Sequence, residues 1–157
     1  LYGKSKLAGE EFVRTLCRRY LIVRSAWVYG IGRDFVSTVL NAAADPTCPW
    51  LAVPTDRFAS PTSADDLTAA VEQLIDHDTL GIYHIVCQGR CSRYDFAQAI
   101  LKAAHMEDKL ELHPIRAADA GSTPSYTVLD NLMLRLDNLP QPRPWKEALN
   151  EYINSLQ

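Results

Sequence analysis

A tyrosine and a lysine four residues apart, Tyr2 and Lys6, open a helical pattern that runs straight into an apolar strand. No other junction in the chain limits the fold so strongly. Val13, Leu16, Cys17 and Tyr20 recur at three- and four-residue steps, the spacing of one helix face. Tyr20 to Val23 is then a continuous apolar run, as in a parallel strand covered on both faces. The segment finishes Arg24-Ser25-Ala26-Trp27-Val28-Tyr29-Gly30, polar and aromatic, and closes on glycine. Helix, apolar strand and polar strand end form the layout of a doubly wound α/β sheet. In such sheets ligands bind beyond the carboxyl ends of the strands.

Tyr2 and Lys6 fall one turn apart on the same helix face, so the phenol and the ammonium can address one bound molecule. A phenol titrates near pH 10, and a neighbouring cation favours its ionised form. Bringing that group close to neutrality takes roughly 4 kcal/mol, the order of help a desolvated cation gives. The pair then reads as a proton donor or acceptor working near pH 7. On an arbitrary helix the same spacing describes an ordinary surface pair, and here the strand that follows favours the catalytic reading.

Beyond Gly30 helices and strands alternate. Asp34 can cap a helix with Val36, Val39, Leu40 and Ala43 on one face, ended by Pro46 and Pro49. Leu51 to Val53 reads as a short strand, and Pro54 to Pro61 as a polar, exposed loop. Thr62-x-x-Asp65 and Ser63-x-x-Asp66 both offer capping boxes to a helix burying Leu67, Ala70, Val71, Leu74 and Ile75. Ile82 to Cys87 reads as a buried strand. Ser92 caps a helix with Phe96, Ala97, Ile100, Leu101 and Ala104 inward. Leu110 to Ile115 alternates like a half-exposed strand, Arg116 to Pro124 reads as a loop, and Trp145, Ala148, Leu149, Tyr152, Ile153 and Leu156 form a last amphipathic helix.

Composition removes several function classes. The net charge of −3 provides no basic field to gather nucleic acid. No apolar run approaches a membrane span, so no membrane partner is expected. The 157 residues, 47% hydrophobic, suffice for one compact core. Cys17, Cys48, Cys87 and Cys91 lack disulfide-framework or zinc-ribbon spacing and read as reduced cysteines of a cytoplasmic protein. His84 and Cys87 sit three apart in a strand and face opposite sides, so no metal site is expected from them.

Tyr2-Gly3-Lys4-Ser5-Lys6-Leu7-Ala8-Gly9-Glu10, then Ile22 to Gly30, then Gly32 to Leu40 resemble the extended short-chain dehydrogenase/reductases, and within them the dTDP-4-dehydrorhamnose reductase family. Ser60-Pro61-Thr62-Ser63-Ala64-Asp65-Asp66-Leu67, Gly81-Ile82-Tyr83-His84, Cys91 to Ala97 and Tyr126-Thr127-Val128-Leu129-Asp130-Asn131 follow in the same order. The resemblance covers nearly the whole chain. It implies the back part of a Rossmann-like doubly wound parallel sheet plus a small α/β substrate-binding domain. Residues 1–33 and about 63–90 would form the NAD(P)-binding part, and about 34–62 and 91–157 the substrate-binding region.

The resemblance also implies roles. NADPH, or NADH, would give a hydride to the C4 ketone of dTDP-4-dehydrorhamnose. Tyr2 would protonate the developing alkoxide, and Lys6 would hold the nicotinamide ribose and lower the phenol pKa. Ser25 would lie beside the nicotinamide and Trp27 beside the sugar, although Trp27 also reads as a core aromatic. Tyr29 reads as packing. Arg57 reads either as a partner for a nucleotide phosphate or as a solvated loop arginine.

Three positions depart from the family pattern. Arg57 lies within Asp56-Arg57-Phe58-Ala59-Ser60, where Asp-Gln-x-Gly is usual; Arg93 stands where a tryptophan is usual; and Thr123 replaces an arginine. The family's glycine-rich phosphate turn and its Ser/Thr before the tyrosine do not occur among these residues. The expectation is therefore a C-terminal portion, inactive alone, that partners with an absent N-terminal dinucleotide-binding half and self-associates through exposed surface. A non-catalytic regulatory subunit on the same fold is the alternative.

Overall fold

The computed structural model describes residues 2–117 and 124–156. Its elements run α1 (Tyr2–Leu16), β1 (Leu21–Arg24), β2 (Val28–Tyr29), α2 (Phe35–Ala44), β3 (Trp50–Pro54), β4 (Phe58–Ala59), β5 (Thr62–Ser63) and α3 (Ala64–Asp76), then β6 (Gly81–His84), β7 (Cys91–Ser92), α4 (Arg93–Ala103), β8 (Glu111–Ile115), α5 (Leu132–Leu136) and α6 (Trp145–Ser155). Three strand pairs are parallel: β1 with β6, β2 with β5, and β3 with β8. Strands β4 and β7 pair antiparallel. Parallel neighbours distant in sequence, joined through helices, make this a Rossmann-like α/β fold.

Local chemistry sets most helix starts. Asp34 caps α2 by accepting from the Ser37 amide at 2.7 Å, and the Ser37 hydroxyl reciprocates by accepting from the Asp34 amide. Ser92 and Asp95 form the same box at α4. At α3 only Ser63 caps, while the Thr62 hydroxyl donates to Ser60 O and accepts from the Cys87 amide. Apolar faces then pack into two cores. The larger joins Val36, Val39, Val53, Phe96, Ile100, Trp145 and Leu149, and the smaller joins Ala70, Leu74, Tyr83, Ile85 and Leu134.

The structure corrects the sequence reading in several places. The strand expected to run unbroken to Gly30 splits, because Trp27 takes a left-handed backbone (φ 43°) between β1 and β2. Side-chain alternation is lost there, so Ser25, Trp27 and Tyr29 do not share one strand face. The exposed loop expected at Pro54–Pro61 instead contains β4, and Ala59, Ser60 and Pro61 are buried. Pairing with β7 and a 2.7 Å bond from the Ser60 hydroxyl to Gly89 O draw it inward.

The first helix ends at Leu16, and its apolar stripe of Phe12, Val13 and Leu16 is exposed rather than buried, as is Leu7 on the other side. Ile75 and Leu156 also face outward. Strand β6 stops at His84, with Ile85, Val86 and Cys87 buried beyond it. Helix α5 carries no expectation from the sequence. The loop expected at Arg116–Pro124 and the departure at Thr123 lie largely or wholly outside the described residues.

Candidate functional site

Two groups of side chains carry the candidate chemistry. The first is on α1. Tyr2 is 76% exposed, and the Lys6 ammonium lies 5.6 Å from its ring centroid, as i to i+4 spacing on a helix dictates. Helix α1 buries none of its residues. It is tied to β1 by Arg24, which grips the Glu10 carboxylate with both Nε and Nη2. That bond holds the Glu10 carboxyl below its usual range and raises Arg24. The chain leaving this clamp carries Ser25, whose buried Oγ has no hydrogen-bond partner among the described residues. A buried hydroxyl without a partner costs free energy that a bound polar group recovers.

The second group surrounds a cavity of about 230 Å³ lined by Trp27, Arg57, Phe58, Arg93 and Thr127 among others. Neither Tyr2 nor Lys6 lines it. The β4–β7 pairing assembles it: the Arg93 amide donates to Arg57 O at 2.9 Å. The loop after residue 123 closes one wall, with the Thr127 amide and hydroxyl both donating to Phe58 O. Arg57 Nη2 donates to Ala117 O at 3.2 Å. The Arg93 guanidinium lies 3.7 Å from the Trp27 ring centroid and 4.4 Å from that of Phe35. Phe96 stacks beneath both rings, at 6.3 Å from Trp27 and 5.8 Å from Phe35. Burial pushes the Arg93 pKa down to about 10.

Trp27 and Arg57, chosen separately from the sequence, thus meet at one cavity. Half-buried Trp27 serves both of its readings, since it packs on the larger core and also lines the cavity. Arg93 lies over the indole and Phe96 stacks on it, which leaves an edge of the ring for a ligand. Sequence reasoning missed Arg93 as a site residue. Its only signal was the departure from tryptophan, and the backbone pairing that sets it beside Arg57 is non-local.

Several motif residues prove structural. Tyr29 is 2% exposed, packs against Phe96 and Tyr152, and has its phenol pKa raised by burial. Asn131 is a buried clamp: its Oδ1 accepts from the Val86 amide at 2.9 Å and its Nδ2 donates to Val86 O at 2.8 Å. Burial raises the Cys87 and Cys91 thiols to about 11 and about 12, which keeps both protonated and unreactive. Among the described residues no cluster of His, Cys, Asp or Glu is arranged to hold a metal, and no helix is long and apolar enough to cross a membrane.

Parallel strand pairs joined through helices define a Rossmann-like α/β protein. More narrowly, the chain belongs to the RmlD substrate binding domain family, which matches residues 1–157. It is 39% identical to the spore coat polysaccharide biosynthesis protein SpsK of Bacillus subtilis, over 98% of this chain and 53% of that protein. The fold superposes on a dTDP-4-dehydrorhamnose reductase of Clostridium acetobutylicum with a TM-score of 0.93 at 41% identity, covering 99% of this chain and 55% of that one. A dTDP-4-dehydrorhamnose reductase of Bacillus anthracis in complex with NADP gives 0.92 at 34% identity, covering 99% and 55%. The chain spans about half the length of the curated relatives it matches.

Proposed function

We propose that this chain is the C-terminal portion of an NADPH-dependent reductase that converts dTDP-4-dehydrorhamnose to dTDP-L-rhamnose. The single observation that carries the reading is the Tyr2–Lys6 pair, one turn apart at the exposed start of α1, within a chain of this family. The cofactor, when bound, supplies the hydride. The residues present fit it: Lys6 holds the ribose hydroxyls, and Ser25, with its orphaned Oγ, takes the polar edge of the nicotinamide. The Tyr2 hydroxyl donates its proton to the C4 oxygen as negative charge develops there. The Lys6 ammonium lies on the same helix face, 5.6 Å from the Tyr2 ring centroid, where it can address the same bound molecule.

Trp27 and Arg57 belong to the sugar-nucleotide side. On this reading residues 1–33 and about 63–90 belong to the cofactor-binding part, and about 34–62 and 91–157 to the substrate-binding region. The relatives' greater length supports a further dinucleotide-binding half of the same protein, against which the exposed stripe of α1 packs. The chain by itself is inactive on this reading. The choice of NADPH over NADH follows the Bacillus anthracis relative.

The test is product analysis. The full-length protein, given NADPH and dTDP-4-dehydrorhamnose, yields dTDP-L-rhamnose with stoichiometric loss of absorbance at 340 nm, the band of the reduced nicotinamide. No turnover with either NADPH or NADH, in a folded protein, overturns the reading and favours a non-catalytic subunit.

A further inference from the structure

The cavity beside Trp27 has an unusual charge balance. Two arginines line it, and no acidic residue is among its described lining. The carboxylates nearest in sequence are engaged elsewhere. Asp56 Oδ1 accepts from the Ala117 amide at 2.8 Å, and Asp95 accepts from the Ser92 amide and hydroxyl. Among the described residues the Arg93 side chain has aromatic rings as its contacts and no hydrogen-bond or ion-pair partner. Its faces are satisfied by Trp27 and Phe35, because a weakly hydrated planar cation stacks well on aromatic rings. Stacking uses the faces of a guanidinium and leaves the N–H edge free. Five donors on a partly desolvated cation without acceptors are costly unless a ligand supplies them.

We infer that Arg93 makes this cavity an oxyanion-selective site, taking a diphosphate or a sugar carboxylate of the bound nucleotide sugar on its forked N–H edge. A fork of parallel donors matches two oxygens of one phosphate or carboxylate. The aromatic slot fixes the plane of the fork, so little freedom is lost when the anion arrives. Arg57 adds a second cation on the same wall. The identity of the nucleotide rests on the proposed function, whereas the oxyanion preference does not.

The experiment uses the full-length protein and calorimetric affinities for four probes: thymidine, dTDP, dTDP-glucose and dTDP-glucuronate, with inorganic pyrophosphate as a nucleotide-free control. Arg93→Gln removes the charge and fork, and the melting temperature checks folding. A tenfold or greater loss for dTDP, with thymidine unchanged, assigns the oxyanion to the diphosphate. Unchanged dTDP, with loss of a wild-type preference for dTDP-glucuronate over dTDP-glucose, assigns it to a sugar carboxylate. Equal affinities in wild type and variant for every probe overturn the inference. Should Arg93→Gln fail to fold, Arg93→Lys keeps charge and stem but not the fork; a threefold or greater loss for the anionic probes supports the inference, and none refutes it. Wild-type protein that binds pyrophosphate through Arg93 but shows no affinity for thymidine nucleotides sinks the dTDP reading and leaves the oxyanion site standing.

Discussion

Replacing Asn131 by alanine separates scaffold from site inside a motif that the sequence presents as one unit. Asn131 is 3% exposed and makes two hydrogen bonds, at 2.9 and 2.8 Å, to the amide and carbonyl of Val86, itself 2% exposed. Both Val86 groups lose their partner together. A buried backbone group left unpaired costs about 1–3 kcal/mol, so the pair costs about 3 kcal/mol even if one water enters the space. For a protein of this size each kcal/mol lowers Tm by about 2–4 °C, giving a fall of roughly 6–12 °C.

Asn131→Asp sharpens the argument. One acceptor is kept, but a carboxylate oxygen now faces the Val86 carbonyl. Burial and that carbonyl both disfavour the charged form, so the new carboxyl has a folded-state pKa above its unfolded value. Such a group contributes stability at low pH and loses it as pH rises through the folded value. Asn131→Asp is therefore nearer to wild type at about pH 4 than at about pH 8. Urea titration followed by far-UV circular dichroism reads both variants. A loss under about 1 kcal/mol for Asn131→Ala, or a pH trend of opposite sign for Asn131→Asp, refutes the clamp. In the clamp reading sugar-nucleotide KM stays within about twofold for variants held below their melting point.

The remaining predictions concern other links. Gly30→Ala sets a Cβ 2.8 Å from the Ala64 Cβ, so the start of α3 shifts and Tm falls, as calorimetry on the variant would show. Tyr29→Phe removes a buried hydroxyl that has no partner among the described residues and keeps the ring contacts, so stability rises by about 1 kcal/mol in denaturant titration; a fall shows that the hydroxyl has a partner. The Arg24 guanidinium holds the Glu10 carboxyl below the usual glutamate range, so its contribution is complete above that range and fades as pH falls through the lowered value. Glu10→Gln should abolish that acid-side loss in a melting-temperature profile. The chain alone should self-associate through the α1 stripe, and Phe12→Glu with Leu16→Glu should shift light scattering towards monomer.

The legible parts of the fold were those with local causes. The boxes at Asp34 and Ser92 announce their helices within four residues, and the apolar faces of α2 and α4 follow from spacing alone. What escaped was non-local. Nothing near Phe58 says that it will pair with Ser92, and that pairing turns an apparently exposed loop into a cavity wall. Trp27 is not a residue type that signals a left-handed backbone, so the split strand was invisible. The stripe on α1 followed a sound helical period, but a period does not say what covers the face. Among the candidate site residues, Tyr2 and Lys6 were singled out by spacing on one helix, Trp27 through the family resemblance, and Arg57 through its departure from the family pattern. Arg93 needed the fold, because its meaning lies in the rings of Trp27 and Phe35 on either side.

The central claim is that Tyr2 delivers the proton to the reduced carbonyl. The direct measurement is kcat for NADPH-dependent reduction of dTDP-4-dehydrorhamnose by the full-length protein and its Tyr2→Phe variant, with folding checked by circular dichroism. The account predicts a fall in kcat of roughly 10²–10⁴ with the fold intact, the usual worth of a positioned general acid. A folded Tyr2→Phe variant that keeps the wild-type kcat contradicts it.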